Sequence, residues 1–177
     1  CMDRIFRPTL NAMKAEGRPF SGCLYFGLML TPKGPYVIEY NCRFGDPETQ
    51  VVLPLLETAL LEIMLAISEK RLAETEVRFS KGSAACVILA SGGYPVKYET
   101  GKQISGLDAE GQVPGATVYH AGTKRDGDSY LTAGGRVLGV TCTAPDGEQA
   151  VRAAYAAAEN ISFEGMHLRR DIGAKNR

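Results

Sequence analysis

The sequence of 177 residues contains no tryptophan, only two histidines and no excess of charge of either sign. Twenty Lys and Arg residues balance 20 Asp and Glu residues, and the two parts of the chain on either side of Ser80 are each close to neutral. Proteins that bind nucleic acid or an anionic membrane usually carry a local basic excess. We therefore expect neither partner, and we expect a globular protein that acts on small molecules.

Long apolar runs are also missing, since none approaches the ~20 residues of a membrane helix. The first residues lack the apolar segment of a signal peptide, and the five cysteines form no Cys-x-x-Cys pair typical of a zinc or redox centre. These features predict a soluble, cytoplasmic protein. Because the chain begins with Cys1 inside a predicted helix, we also expect it to be a fragment of a longer protein.

The first part of the chain reads as helix, hairpin and helix. Apolar residues at helical spacing predict a helix over residues 2–13, with a kink at Pro8. Residues 23–31 are too apolar for an exposed strand and form a predicted hairpin with residues 36–41. Asp46 suits an N-cap, with Pro47 at the first position of a helical stretch that is broken near Pro54.

From about residue 83 the pattern changes to short strands separated by glycines. Strands are predicted over residues 84–90, 117–120, 130–132 and 136–143, and Asp146 is a predicted cap for a final helix. The fold class is therefore α/β (α+β), with a second unit that is mainly β.

The second strand of the hairpin carries the residues best suited to chemistry. Because side chains alternate along a strand, Glu39, Asn41 and, if the strand persists, Arg43 point to one face, and Ile38 and Tyr40 point to the other. Carboxylate and amide oxygens suit Mg²⁺, and a guanidinium suits phosphate. The row indicates phosphoryl chemistry, although an exposed polar face at a strand end is the alternative interpretation.

Residues 37–50 closely resemble the signature segment of the phosphoribosylamine-glycine ligase (glycinamide ribonucleotide synthetase) family. They read Val-Ile-Glu-Tyr-Asn-Cys-Arg-Phe-Gly-Asp-Pro-Glu-Thr-Gln. The resemblance covers nearly the whole chain, with further matching segments at residues 7–10, 25–30, 90–95, 120–123, 134–138 and 169–173.

This resemblance implies the C-terminal part of a ligase of the ATP-grasp superfamily. Residues 1–80 would be the end of the ATP-binding subdomain, and residues 81–177 the β-rich C-terminal domain. The implied reaction condenses glycine with 5-phosphoribosylamine at the expense of ATP, through a glycyl phosphate, in purine biosynthesis. The rest of the parent chain would be the partner of this segment.

The resemblance also implies roles for residues of the hairpin strand and the loop after it. Glu39 and Asn41 match the family's ligands for Mg²⁺ (or Mn²⁺), and Arg43 matches an arginine near the acyl phosphate. Ile38 corresponds to a residue that contacts adenine, with ordinary core packing as the alternative. Many relatives in the superfamily carry another acidic ligand about a dozen residues upstream, where this chain reads Tyr-Phe-Gly at residues 25–27, so a second metal site is expected to be incomplete.

Two further residues are candidates for binding substrate. The resemblance places Asp46 in the pocket for glycine and phosphoribosylamine, a role compatible with helix capping. Arg136 follows two glycines that allow close approach of the backbone, and it is expected to bind the phosphate of phosphoribosylamine. The alternative for Arg136 is a structural arginine at the end of a hairpin. His120 and His167 are assigned no role.

Three other functions remain open at this point. Another ATP-grasp ligase, such as a biotin carboxylase-like or aminoimidazole ribonucleotide carboxylase protein, would share a metal-binding Glu and Asn, but the residues after Arg43 argue against it. A biotinyl carrier would need a lysine on a tight hairpin, a setting that Lys97, Lys102 and Lys124 lack. The third is a noncatalytic interaction fragment.

Overall fold

The computed structural model describes residues 1–174, which divide into two units of mixed α/β structure. The first unit contains residues 1–46 and 57–78, and the second contains residues 47–56 and the chain from residue 79 onward. The predicted domain boundary at residue 80 concerns the domains of the family and stays a prediction. None of the helices in residues 1–174 is long and apolar enough to cross a membrane.

Helical structure opens the first unit, as predicted. A π-helical turn, Met2–Phe6, runs into α1, Arg7–Ala15. Pro8 lies in the first turn of α1, directly after the π-helical turn. The helical geometry changes from π to α at Arg7, and the kink at Pro8 stays a prediction.

The predicted hairpin is confirmed. Strand β1, Tyr25–Thr31, pairs antiparallel with β2, Gly34–Asn41. The side chain of Thr31 closes the turn, because its Oγ1 accepts from the backbone N–H of Lys33 at 3.1 Å and donates to the carbonyl of Gly34 at 2.9 Å.

The expectation that β1 is too apolar to be exposed is wrong at the end near the turn, where Leu30 is 77% exposed and Met29 is 54% exposed. Within residues 1–174 the two strands pair only with each other, so no further strand shields that end.

The predicted helical stretch after the hairpin is broken at Pro54, also as predicted. It consists of four short elements, which are α2, Thr49–Val52; a 3₁₀ turn, Leu53–Leu55; α3, Leu60–Ser68; and a second 3₁₀ turn, Leu72–Glu74. Proline in a helix interior removes a hydrogen bond and clashes with the preceding turn, which accounts for the interruption.

Two antiparallel three-stranded sheets form the second unit. The first sheet has the order β3-β8-β5, with β3 at Ser83–Ala90, β5 at Thr117–His120 and β8 at Arg136–Ala144. The second has the order β4-β7-β6, with β4 at Gln103–Ile104, β6 at Thr123–Asp126 and β7 at Ser129–Thr132. The four predicted strands are confirmed, whereas β4 and β6 were not predicted.

Helix α4, Gly147–Ala158, packs on β3 and β8 through small side chains. Asp146 caps it as predicted, because its Oδ1 accepts from the backbone N–H of Gln149 at 2.8 Å. Four alanines of α4 are buried against a core that includes Leu89, Leu138 and Ile161. This core lies entirely within the second unit.

Candidate functional site

The β1–β2 hairpin has one face that packs on the N-terminal helical segment. Phe26 of β1 lies opposite Tyr40 of β2, with ring centroids 5.2 Å apart, and it also contacts the ring of Phe6 at 4.4 Å. The hydroxyl of Tyr40 lies 3.4 Å from Oγ1 of Thr9. These contacts orient the hairpin, so that residues next to Phe26 and Tyr40 in each strand point to the opposite face.

That opposite face carries two of the predicted site residues. Glu39 pairs with Gly27 and Asn41 pairs with Tyr25, and the side chains of Glu39 and Asn41 share a face because they are two residues apart in β2. Glu39 is exposed and Asn41 is half-buried. A carboxylate and an amide oxygen are thus presented side by side.

The side chain of Glu39 lies across Gly27. A Cβ atom placed on Gly27 would be 2.7 Å from Cγ of Glu39 and 3.4 Å from its Oε1. The space that a side chain at position 27 would occupy is therefore filled by the glutamate.

A β-bulge interrupts the pairing just before Glu39. Leu28 pairs with Val37 and Gly27 pairs with Glu39, so Ile38 is the additional residue on β2. The prediction that Ile38 shares a face with Tyr40 assumed unbroken alternation, and the bulge removes that basis. Ile38 is 62% exposed, which leaves its side chain accessible to a ligand.

Arg43 does not continue the row of β2. The strand ends at Asn41 and residues 42 and 43 form a bend, so the condition for a row of three residues is not met. The exposed guanidinium of Arg43 donates from Nη1 to the carbonyl of Phe44 at 2.7 Å. The structure therefore presents Glu39 and Asn41 on the strand and Arg43 in the loop that follows.

Asp46 lies in a turn and is exposed. The prediction that it caps a helix beginning at Pro47 is wrong, because α2 begins at Thr49 and its N-cap position is Glu48, with no capping hydrogen bond from that side chain. Residues 46–48 form a turn that delays the helix by two residues. The substrate-binding role of Asp46 stays a prediction.

Arg136 belongs to the second unit, where it is the first residue of β8 and is half-buried. The turn before it is held by Ser91, which is 3% exposed. The backbone N–H of Ser91 donates to the carbonyl of Gly135 at 2.8 Å, and its hydroxyl donates to the carbonyl of Gly134 at 2.8 Å. The backbone that leads into β8 at Arg136 is therefore held in place by hydrogen bonds from Ser91.

The two glycines before Arg136 make close contacts within the protein. A Cβ on Gly135 would lie 2.1 Å from a ring carbon of Tyr94, and one on Gly134 would lie 3.0 Å from Cα of Gly122. Packing thus accounts for both glycines, whereas the prediction attributed them to a ligand. The binding of phosphate by Arg136 stays a prediction.

Both histidines make hydrogen bonds within the protein. The ring nitrogens of His120 lie 2.9 Å from Oγ1 of Thr123 and 2.9 Å from the carbonyl of Gly111, and its ring contacts Tyr130. His167 pairs with Ala90 through two backbone hydrogen bonds.

The donor set of β2 fits a magnesium or manganese ion. The oxygens of Glu39 and Asn41 are hard ligands, and Mg²⁺ typically takes one or two protein ligands together with substrate phosphates. No cluster of three or more His, Cys, Asp or Glu side chains able to hold a metal occurs among residues 1–174. Glu39 and Asn41 would therefore be two of the ligands of such an ion.

Two family models match the chain. Residues 84–175 match the phosphoribosylglycinamide synthetase C domain, and residues 1–49 match the phosphoribosylglycinamide synthetase ATP-grasp (A) domain.

Curated relatives match almost the entire chain. A phosphoribosylamine–glycine ligase of Chlorobaculum tepidum is 48% identical over 173 residues, which are 98% of this chain and 41% of the relative. A ligase of the same name from Synechocystis is 48% identical over 174 residues, covering 97% of this chain and 41% of the relative. The chain therefore spans about two fifths of the length of these relatives.

Solved structures agree with these matches. The crystal structure of a phosphoribosylamine–glycine ligase from Thermotoga maritima has a TM-score of 0.81 at 36% identity, covering 96% of this chain and 41% of that one. The biotin carboxylase subunit of pyruvate carboxylase has a TM-score of 0.58 at 17% identity, covering 92% of this chain and 38% of that one. At that identity the second likeness concerns the fold alone.

Proposed function

Because the chain belongs to the phosphoribosylglycinamide synthetase family, we propose that it forms part of an ATP-dependent ligase that joins glycine to 5-phosphoribosylamine. The observation that best supports the proposal is that the side-chain oxygens of Glu39 and Asn41 lie on one face of β2. The names of the relatives support the same reaction.

The reaction proceeds in two steps. A carboxylate oxygen of glycine attacks the γ-phosphorus of ATP, so that ADP leaves and glycyl phosphate forms. The amine of phosphoribosylamine then attacks the carbonyl carbon, displaces phosphate and releases one proton, giving glycinamide ribonucleotide. Both steps develop negative charge on oxygens that need stabilisation.

Residues of the first unit serve the ATP step. Glu39 and Asn41 would hold Mg²⁺ or Mn²⁺ on the ATP phosphates, where the ion neutralises charge as the γ-phosphoryl group transfers. The guanidinium of Arg43 stabilises the acyl phosphate, and its exposed place in a bend after β2 leaves it accessible. Ile38, exposed at the bulge, contacts the adenine ring.

Two charged residues recognise the other substrates. Asp46 offers a carboxylate to the ammonium group of glycine or a ribose hydroxyl, and Arg136 binds the phosphate of phosphoribosylamine. We also propose that residues 1–80 complete the ATP-grasp module and that residues 81–177 are the C-terminal domain of the same ligase, with the rest of the parent chain as their partner.

The proposal includes a cytoplasmic location. None of the five cysteines forms a disulfide, and thiols in this state are typical of a reducing compartment.

The proposal is tested in the full-length protein by separating metal binding from chemistry. Glu39→Gln removes the charge of one metal ligand and Asn41→Ala removes the oxygen of the other, so both should raise the magnesium concentration needed for half-maximal rate by about tenfold or more, as when a metal site is perturbed. Arg43→Met leaves both ligands in place. It should preserve this magnesium requirement and lower the rate of glycyl phosphate formation by about 10²–10³-fold.

A magnesium titration and rapid-quench measurement of glycyl phosphate distinguish the two effects. Glu16→Gln, Asn11→Ala and Arg18→Met are matched controls, because these three residues are exposed and belong to α1 or the segment just after it. Unchanged magnesium dependence and turnover in Glu39→Gln and Asn41→Ala would contradict the proposed metal site.

A further inference from the structure

Gly27 is a glycine that the backbone itself does not require. It lies inside β1, and its φ is outside the left-handed region that favours glycine. A glycine within a strand weakens that strand, because it adds backbone entropy to the unfolded state and has no side chain to pack. Its presence therefore needs a cause other than the geometry of the chain.

The residue that crowds an added side chain most closely at this position is Glu39. The three atoms nearest to a Cβ placed on Gly27 are Cγ, Oε1 and Cδ of Glu39, at 2.7, 3.4 and 3.5 Å. Because Cγ is fixed by the first side-chain torsion, Glu39 would have to leave its rotamer to make room for a methyl group. Such a change would carry the carboxylate away from its present position.

The β-bulge is what places these two residues opposite each other. If the pairing of Leu28 with Val37 continued without the extra residue, Ile38 would face Gly27 and Glu39 would face Phe26. A bulge re-aims the side chains that follow it. Here the bulge places Glu39 opposite Gly27, which is the one residue of β1 without a side chain.

From this geometry we infer that Gly27 is a positioning residue, which holds the carboxylate of Glu39 in the orientation that binds the metal–nucleotide complex. The inference rests on the proposed function, since it assigns Gly27 a role through Glu39. Gly27 has no side chain with which to bind metal or nucleotide, and it would act only through Glu39. Its role is to leave a surface on which the glutamate side chain lies in one rotamer before ATP arrives.

The test is a titration of the full-length protein with Mn²⁺ in the presence of ATP and without glycine, followed by electron paramagnetic resonance. Gly27→Ala should weaken Mn²⁺ binding by about tenfold, the lower end of the loss seen when a residue that orients a metal ligand is changed. The magnesium requirement of the reaction should rise by a similar factor. An affinity within about twofold of the parent protein would overturn the inference.

Gly147→Ala is the matched control. This glycine is the first residue of α4, its φ is also outside the left-handed region, and nothing lies within 4 Å of an added Cβ. The same substitution should there leave Mn²⁺ binding unchanged.

A double-mutant cycle separates positioning from a general loss of structure. In a Glu39→Ala background, Gly27→Ala should cause little further loss of Mn²⁺ affinity, because the side chain through which it acts is already gone. An additive loss in that background would overturn the inference. If Glu39→Gln itself leaves Mn²⁺ binding unchanged, the proposed metal site fails, and the inference fails with it. If Glu39→Gln weakens Mn²⁺ binding but Gly27→Ala does not, the inference is overturned while the proposed metal site stands.

Thermal unfolding provides a readout that does not depend on the metal. Gly27→Ala should lower Tm in the parent protein, whereas in a Glu39→Ala background, where no Cγ remains, it should raise Tm because alanine favours the strand over glycine. A fall in Tm of the same size in both backgrounds would overturn the proposed contact.

Discussion

Strands β2 and β8 have similar lengths, eight and nine residues, but very different surroundings. No residue of β2 is fully buried, whereas six consecutive residues of β8 are. β2 pairs with one neighbour, while β8 is the central strand of its sheet and is covered by α4. The comparison shows that the strand with the proposed metal ligands and the strand at the centre of the buried core of the second unit are different elements.

This separation has a physical reason. Oxygens that bind a metal–nucleotide complex must be accessible to it, and the exposed position of Glu39 meets this requirement of its proposed role. Burial of apolar surface, at about 25 cal/mol per Å², is the main source of stability, and it is concentrated in residues such as Leu138 and Val140. Substitutions in the two strands should therefore affect different properties.

The largest expected effect is on the stability of the second unit. Leu138 is fully buried, and Leu138→Ala should lower the free energy of unfolding by about 2–5 kcal/mol through lost burial and the cavity left behind. Leu30→Ala, at a site that is 77% exposed in the hairpin, should change it by less than about 0.5 kcal/mol. Chemical denaturation followed by circular dichroism measures both. Equal destabilisation by the two substitutions would remove the distinction between the strands.

Arg136 tests the contrast between β2 and β8, because it is a proposed binding residue at the first position of the buried strand β8. In the full-length protein, Arg136→Met should weaken the use of phosphoribosylamine by about 1.5–3 kcal/mol, the value of a hydrogen bond to a charged group. ATP use and Tm should change much less, since β8 keeps its buried residues. Arg170→Met, at an exposed arginine of the same unit, is the control. Equal losses for ATP, glycine and phosphoribosylamine would indicate a structural role instead.

Local patterns were sufficient to predict much of this fold. The hairpin, the break at Pro54 and the cap at Asp146 depend on interactions within a few residues, which periodicity and residue type report directly. The grouping of Glu39 and Asn41 on one face also follows from the two-residue period of a strand.

The features that were not predicted depend on contacts between distant residues. The bulge at Ile38 is set by the register between two strands, and the packing of Gly135 depends on Tyr94, about 40 residues away in sequence. A strand buried on both faces, such as β8, has no alternation that would identify its inner face. The role inferred for Gly27 had one signal in the sequence, a glycine within a predicted strand.

The smallest expected effect concerns Asp146, at the start of the helix that covers β8. The backbone N–H and the side-chain amide of Gln149 both donate to this carboxylate, which lowers its pKa below the ordinary value. Asp146→Ala should lower Tm by roughly 2–4 °C at neutral pH through loss of the cap. Asp146→Asn keeps an acceptor for the N–H of Gln149 and should lower Tm less.

The two variants also differ from the parent protein in their pH dependence. A carboxyl group whose pKa is lower in the folded than in the unfolded state stabilises the fold above its unfolded pKa, which is about 3.9 for Asp. That contribution is lost as the pH falls through the lower, folded pKa. The difference in Tm between the parent protein and Asp146→Asn should therefore be constant near neutral pH and shrink below about pH 4. The hydrogen bond that Asn accepts does not depend on pH in this range, so it does not contribute to that change. If parallel melts of both proteins give a Tm difference that stays constant down to pH 2, the charge of Asp146 does not stabilise α4.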